Sequence, residues 1–153
     1  MTDLKRLTDE QLADIVRRAV PRAKDGLDPA TRTFMALRLH VNDELAEIGR
    51  GLQAAEELLV AGGRLVVITF HSLEDRIVKR FMQARSRSTH GISRHAPQPG
   101  DTPLPSFKLT HRRALAPGEA EIRSNPRARS ARLRTAERTE NPAWPPQPER
   151  IAA

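Results

Sequence analysis

The chain contains no cysteine and no tyrosine, one tryptophan and four phenylalanines. Without cysteine there is no disulfide framework and no Cys-ligated zinc or iron–sulfur centre, which fits a reducing compartment and a cytoplasmic protein. The longest apolar runs, such as Leu65–Ile68, fall far short of the ~20 residues a membrane span requires. The opening residues, MTDLKRLTDEQ, hold no apolar stretch of the signal-peptide kind. Lysine is scarce as well. Only Lys5, Lys24, Lys79 and Lys108 occur, so 22 of the 26 basic side chains are arginine, whose planar fork matches phosphate. Set against 19 acids, they leave a net charge of +7 and a pI of about 11.1. That balance excludes an acidic solvating protein and puts polyanions first among partners.

The 153 residues suffice for about one domain with a modest core. Charge is uneven along them: residues 1–75 carry −3 and residues 76–153 carry +10. An arginine-rich solvated surface and a nucleic-acid face both fit that distribution.

Thr8-Asp9-Glu10-Gln11 reads as a capping box. Leu12, Ile15, Val16, Ala19 and Val20 follow at helical spacing as far as Pro21. Asp28 caps a second helix with Pro29 at its first position. One stripe, Phe34, Leu37, Val41, Leu45, Ile48, Leu52, Ala55 and Leu59, runs through it, with Gly49 and Gly51 expected to bend or split it. Gly62-Gly63 ends the stripe, and Arg64–Thr69 is a β-branched run of the kind covered on both faces of a sheet. Ser72-Leu73-Glu74-Asp75 is a second capping box, opening a helix with Ile77, Val78, Phe81 and Met82 on its core face and Asp75 paired with Lys79.

Residues 84–105 lack apolar periodicity and read as a mobile loop. Phe107–Thr110 resumes as a strand, Pro117–Ile122 as one or two helical turns broken at Asn125-Pro126, and Ala131–Thr135 as a half-buried strand. The tail, residues 141–153, is extended. Two further strands are too few to flank Leu65–Ile68, whose full burial would contribute roughly 6–12 kcal/mol. An apolar edge is therefore left open, which invites self-association, and the chain reads as a piece of a larger α/β domain.

Gly49-Arg50-Gly51-Leu52-Gln53-Ala54 matches the dinucleotide fingerprint G-x-G-x-x-A but lies inside a helical stripe, where no amides face a pyrophosphate. Asn141-Pro142-Ala143-Trp144 is similar to the [D/N/S]-P-P-aromatic loop of amino-group methyltransferases. It follows the last strand with no helix after it, so it reads as a tail packing Trp144 on the body. His71, Ser72 and Asp75 sit on one turn and cannot align as a hydrolytic triad. The five histidines show no zinc spacing, so no metal is indicated. Phe70–Arg76 is a polar turn at the carboxyl end of a strand and the amino end of a helix. Its amides, with His71 and Arg76, could hold an anion, or its polar groups could simply satisfy the backbone. Arg127, Arg129, Arg132 and Arg134 recur beside Asn125, either as a phosphate track or as a charged guard on an edge strand.

Three of these segments, ITFHSLEDRIVKRF, DPATRTFMALRLHVNDEL and EIRSNPRARSARLRTAER, together resemble the ribosomal RNA small subunit methyltransferase H family, also called MraW. The resemblance covers residues 8–140 and matches the carboxyl-terminal half of a family member. It implies an α/β fold, the carboxyl-terminal part of a Rossmann-like class I methyltransferase sheet preceded by part of an inserted helical domain. Residues 1–48 would then end the inserted substrate-recognition domain, 49–140 would belong to the core, and 141–153 would form the tail. It also implies S-adenosyl-L-methionine as cofactor and methylation of the N4 amine of a cytosine in 16S ribosomal RNA. The family's cofactor-binding segments precede this stretch, so no cofactor residue can be carried over, and no catalytic residue can be identified.

The positions carried over as RNA or substrate contacts are Arg32, Arg38 and Asn42, the turn with His71, Ser72 and Arg76, and Asn125, Arg127, Arg129 and Ser130, with Pro126 among them. Asp28 departs from the family, which commonly has His there, but keeps a helix cap. An exocyclic cytosine amine is a poor nucleophile, so catalysis would rest on acceptors that orient it and on a base free of its stack. The partners implied are the small-subunit RNA or its particle and the amino-terminal half of the enzyme, with no membrane. The isolated chain is expected to be inactive. The competing reading is a non-catalytic RNA-binding or ribosome-associated module that uses the same arginines.

Overall fold

A computed structural model describes residues 7–22, 24, 26–86 and 103–145. They belong to two compact units, residues 1–44 and 45–153.

In the first unit, α1 (Asp9–Ala19) opens on the expected box. The Gln11 amide donates to Thr8 Oγ1, and Gln11 Oε1 accepts from the Thr8 amide. Helix α2 (Pro29–Val41) opens on Asp28, which accepts from the Ala30 amide at 2.9 Å and from Arg17 Nε at 2.9 Å. The Ala30 bond, seconded by Arg17, holds the Asp28 carboxyl below its ordinary range. The long stripe is split, but not at the glycines. Asn42 caps α2, Asp43 takes a left-handed conformation (φ 51°), and α3 (Glu44–Leu58) restarts one residue later. Asp tolerates that region better than most residues. Gly49 and Gly51 lie within α3, where an added Cβ would meet nothing.

The second unit holds a three-stranded sheet in the order β1–β3–β2, antiparallel throughout, with β1 Arg64–Thr69, β2 Phe107–Leu109 and β3 Arg132–Arg138. Val66 pairs with Thr135, Ile68 with Leu133 and Leu109 with Ala136. β1 is entered through Gly62 (φ +79°), and a Cβ on Gly63 would sit 2.8 Å from the Val60 carbonyl. The Gly62 amide and Gly63 carbonyl bond to Arg138. The core joins Leu52 of α3, Val78 and Met82 of α4 (Ser72–Ser86), Phe107 and Ala136, with Leu65 and Val67 packed against it.

That core covers one face of the sheet. On the other face of β1, Val66 is 53 % and Ile68 55 % exposed, followed by Phe70 at 57 %. Among the described residues, therefore, the two-sided cover that the branching of β1 suggests is absent, and the open apolar edge expected from the shortage of strands is found. β1 is an edge strand, and about half of the ~3–6 kcal/mol that full burial of Val66 and Ile68 would contribute is unrealised.

Other boundaries shift. α4 runs to Ser86, three residues into the expected loop, because Met82 and Arg85 continue its buried face. The part of that loop at 87–102 lies outside the described residues, as does the tail from 146. The turns near Ile122 form α5 (Glu119–Ser124), and a 3-10 helix, Pro126–Ser130, separates them from β3. β3 continues to Arg138 because Ala136 and Arg138 are both buried. Trp144 packs on the body, its Nε1 donating to the Leu104 carbonyl at 2.8 Å.

Candidate functional site

β1 ends at Thr69, opposite Arg132, the first residue of β3, and the Thr69 hydroxyl donates to the Arg132 carbonyl. The turn Phe70–His71 and the start of α4 thus share one end of the sheet with the 3-10 helix that feeds β3. By chain order His71 and Ser72 follow directly on Thr69, and Arg129 and Ser130 closely precede Arg132, so these sequence candidates are attached at the same end of the sheet, while no direct bond joins His71, Ser72 or Arg76 to Asn125, Arg127, Arg129 or Ser130 among the described residues.

The capping box of α4 is displaced by one residue from Ser72–Asp75. His71 is the cap: its Nδ1 accepts from the Glu74 amide at 3.4 Å, and Glu74 Oε2 accepts from the amides of His71 at 3.3 Å and Phe70 at 2.9 Å. An imidazole nitrogen replaces the usual hydroxyl acceptor, and this is why residue-type rules favoured Ser72. Two turn amides that an anion would have used are engaged by the chain's own carboxylate. His71 Nε2 lies 2.9 Å from Glu74 Oε1, but without hydrogen-bond geometry, so it is a buried atom with no hydrogen-bond partner among the described residues.

Asp75 pairs with Arg134, not with Lys79. Arg134 Nε donates to Oδ1 at 2.7 Å and Nη2 to Oδ2 at 2.9 Å, with the side chains 23 % (Asp75) and 14 % (Arg134) exposed. The Arg134 hydrogen bonds hold the Asp75 carboxyl below its ordinary range against the opposing effect of burial. Arg134 therefore belongs to the covered face, and the arginines do not form one strand-borne stripe. Arg127 and Arg129 ride on the 3-10 helix, Arg132 opens β3, and all three are exposed, as is Arg76. None of these four has an acidic partner among the described residues.

Arg32, Arg38 and Asn42 lie in the other unit. Arg38 Nε (2.9 Å) and Asn42 Nδ2 (3.1 Å) converge on the Glu44 carboxylate, while Arg32 is exposed on α2.

Sequence reasoning missed a buried polar network at the opposite end of the sheet. Glu56 of α3 meets Arg85 of α4 in a short ion pair. It also accepts from the Ser106 hydroxyl at 2.5 Å and from the Trp144 amide at 3.1 Å. Arg138 donates to the carbonyls of Glu56, Ser106 and Asn141. Arg85 lies 3.8 Å from the Phe81 ring centroid. The available signal was a charge on each of two apolar helix faces: Glu56 one turn after Leu52, and Arg85 three residues after Met82. Asn141-Pro142-Ala143-Trp144 is part of this lock, remote from the His71 turn.

The family model described as the MraW methylase family matches residues 3–139. A protein named ribosomal RNA small subunit methyltransferase H from Paramagnetospirillum magneticum is 60 % identical over 135 residues, covering 88 % of this chain and 42 % of its own length. Proteins of the same name from Rhodospirillum rubrum and Rhodospirillum centenum are 57 % and 62 % identical, covering 90 % and 86 % of this chain and 43 % and 40 % of their own. The chain spans about two fifths of the length of these relatives.

Proposed function

The chain belongs to the MraW methylase family, and from that premise we propose that it is the carboxyl-terminal, substrate-side part of a cytoplasmic ribosomal RNA methyltransferase. Its reaction would be transfer of a methyl group from S-adenosyl-L-methionine to the N4 amine of a cytosine in the small-subunit RNA. Residues 1–48 would close an inserted helical domain and 49–140 would complete a Rossmann-like core. The observation that carries this reading is the uncovered apolar face of β1 at an end of the sheet where exposed arginines have no acidic partner among the described residues. Val66, Ile68 and Phe70 await cover, while Arg76, Arg127, Arg129 and Arg132 face solvent at the same end of the sheet.

The described residues do not by themselves fit the methyl donor. The amides of Phe70 and His71 at the carboxyl end of β1, where α/β sheets bind ligands, are bonded to Glu74. No step is therefore assigned to the donor here. The role of this chain is to hold RNA phosphates on Arg127, Arg129 and Arg132 and to shape the substrate side through a His71 turn locked by Glu74 and Asp75. Arg32, Arg38, Asn42, Ser72, Asn125 and Ser130 are further contacts of the same proposal.

The test is methyl transfer to small ribosomal subunits by this chain, alone and with the remaining amino-terminal portion of a family member supplied separately. Transfer only in the mixture is expected. Transfer by the chain alone would overturn the division of labour, and none in the mixture would favour the non-catalytic RNA-binding module.

A further inference from the structure

The two edges of the sheet differ in chemistry. Along β1 the only charge is Arg64, whereas on the β2 side Lys108, His111, Arg112 and Arg113 follow one another and all are exposed. Residues 110–115 are tied to β3: the Thr110 amide donates to the Thr135 carbonyl at 3.2 Å, and Leu115 and Leu133 exchange a pair of bonds at 2.9 Å. This segment therefore follows β3 back toward Arg132 and the 3-10 helix.

At the start of that path lies an open groove of about 430 Å³, lined by Phe107, Lys108, Leu109, Arg112, Thr139 and Asn141 among others. Its neutral polar donors are engaged, since the Thr139 hydroxyl and the Asn141 amide group both donate to the Pro105 carbonyl. Its cations are not, for neither Lys108 nor Arg112 has an acidic partner among the described residues. Glu137 of β3 is the cross-strand partner of both Lys108 and Arg64, and makes an ion pair with neither. A groove whose polar groups are satisfied and whose two cations have no acidic partner among the described residues is suited to an anion.

We infer that this groove is a second phosphate-binding subsite for single-stranded RNA, reached by the strand that the arginines at the carboxyl end of β1 hold. The inference rests on the RNA reading proposed above. Between Glu137 and Arg132 the β3 backbone spans roughly 17 Å at about 3.4 Å per residue, so one strand passes several phosphates between the two cation groups. Among the described residues no aromatic ring is exposed in the groove, since Phe107 is fully buried. Its contacts are to backbone phosphates and are indifferent to sequence.

The test measures binding of a labelled single-stranded oligoribonucleotide to the 153-residue chain over a range of salt, by fluorescence anisotropy. Three variants are compared with wild type: Lys108→Ala/Arg112→Ala, its charge-keeping counterpart Lys108→Arg/Arg112→Lys, and Arg127→Ala/Arg129→Ala. Each lost phosphate contact should lower the slope of log affinity against log salt by about 0.7. The Lys108/Arg112 alanine pair should therefore lower it by about 1.4 and weaken binding about tenfold at low salt, with the charge-keeping pair restoring both. Unchanged binding in that alanine variant, with loss in Arg127→Ala/Arg129→Ala, would overturn the groove and leave the RNA reading standing. No RNA binding by the wild-type chain would overturn both. Equal competition by a polyglutamate peptide of matched charge would overturn RNA as the groove's occupant in favour of an acidic protein segment. All substituted side chains are exposed, and unchanged circular dichroism certifies the fold.

Discussion

Replacing Asp75 by Asn tests the central geometric claim, that the first turn of α4 is tied to β3 by the Asp75–Arg134 pair. The two hydrogen bonds are short and parallel, and both side chains are mostly buried. Charge-assisted bonds of this kind contribute about 1.5–3 kcal/mol, and residual solvent screening places the loss nearer the lower end, about 2 kcal/mol. For a chain of this size that lowers the melting temperature by about 4–8 °C. The sign of the pH dependence follows from the depressed Asp75 carboxyl. Its contribution is fully present above the unfolded-state value of about 3.9 and is lost as pH falls through the lower folded-state value. Urea unfolding followed by circular dichroism should show wild type and Asp75→Asn well separated at pH 7 and converging below about pH 4. A double-mutant cycle with Arg134→Ala should give a coupling of at least about 1 kcal/mol. Additive single effects, or a gap that persists unchanged into acid, would refute the pairing.

Three further outcomes are expected. His71→Ala removes the acceptor for the Glu74 amide and should cost about 1 kcal/mol, whereas Ser72→Ala should cost less than about 0.5 kcal/mol; equal losses in chemical denaturation would return the cap to Ser72. Glu56→Ala leaves Arg85 buried without its partner and should cost about 3–5 kcal/mol, with a red shift of Trp144 fluorescence as the tail comes free; an unshifted spectrum in the folded variant would separate the tail from the network. Ile68→Lys places a charge on the open face of β1 and should abolish both self-association of the isolated chain in sedimentation and complementation by the amino-terminal portion; persistence of both would place the contact elsewhere.

The elements were legible because their signals are local. Thr8 and Asp28 cap helices by side-chain oxygens that any reading of residue types finds, and Val66-Val67-Ile68 is a strand by its branching alone. What escaped depends on partners distant in sequence. The stripe through Leu45 and Ile48 gives no sign that the helix breaks at Asp43, because a left-handed aspartate costs little and Gly49 and Gly51 cost only about 1 kcal/mol each in a helix. Arg134 and Lys79 are equally good partners for Asp75 on charge. Only the register of β3 against β1 brings Arg134 across.

The candidate site was half legible for the same reason. Sequence fixes the order of Arg127, Arg129, Arg132 and Arg134 but not which of them is consumed internally, and the ion pair to Asp75 removes one from any phosphate track. β1 supplies the complementary argument. Proteins that expose a strand edge to water blunt it with lysine, proline or a bulge, and Arg64–Thr69 has none of these beyond its first residue. β2 at the other edge is short, carries Lys108 and is followed by His111, Arg112 and Arg113. An undefended apolar edge is tolerable only where another polypeptide segment covers it, and a cationic edge only where water or an anion does. On the proposals above, the described residues are polarised across the sheet, with an apolar β1 side suited to a protein segment and a cationic β2 side suited to a polyanion. If the proposed association with the rest of a family member is right, substitutions on the β1 side should disturb it and those on the β2 side should not.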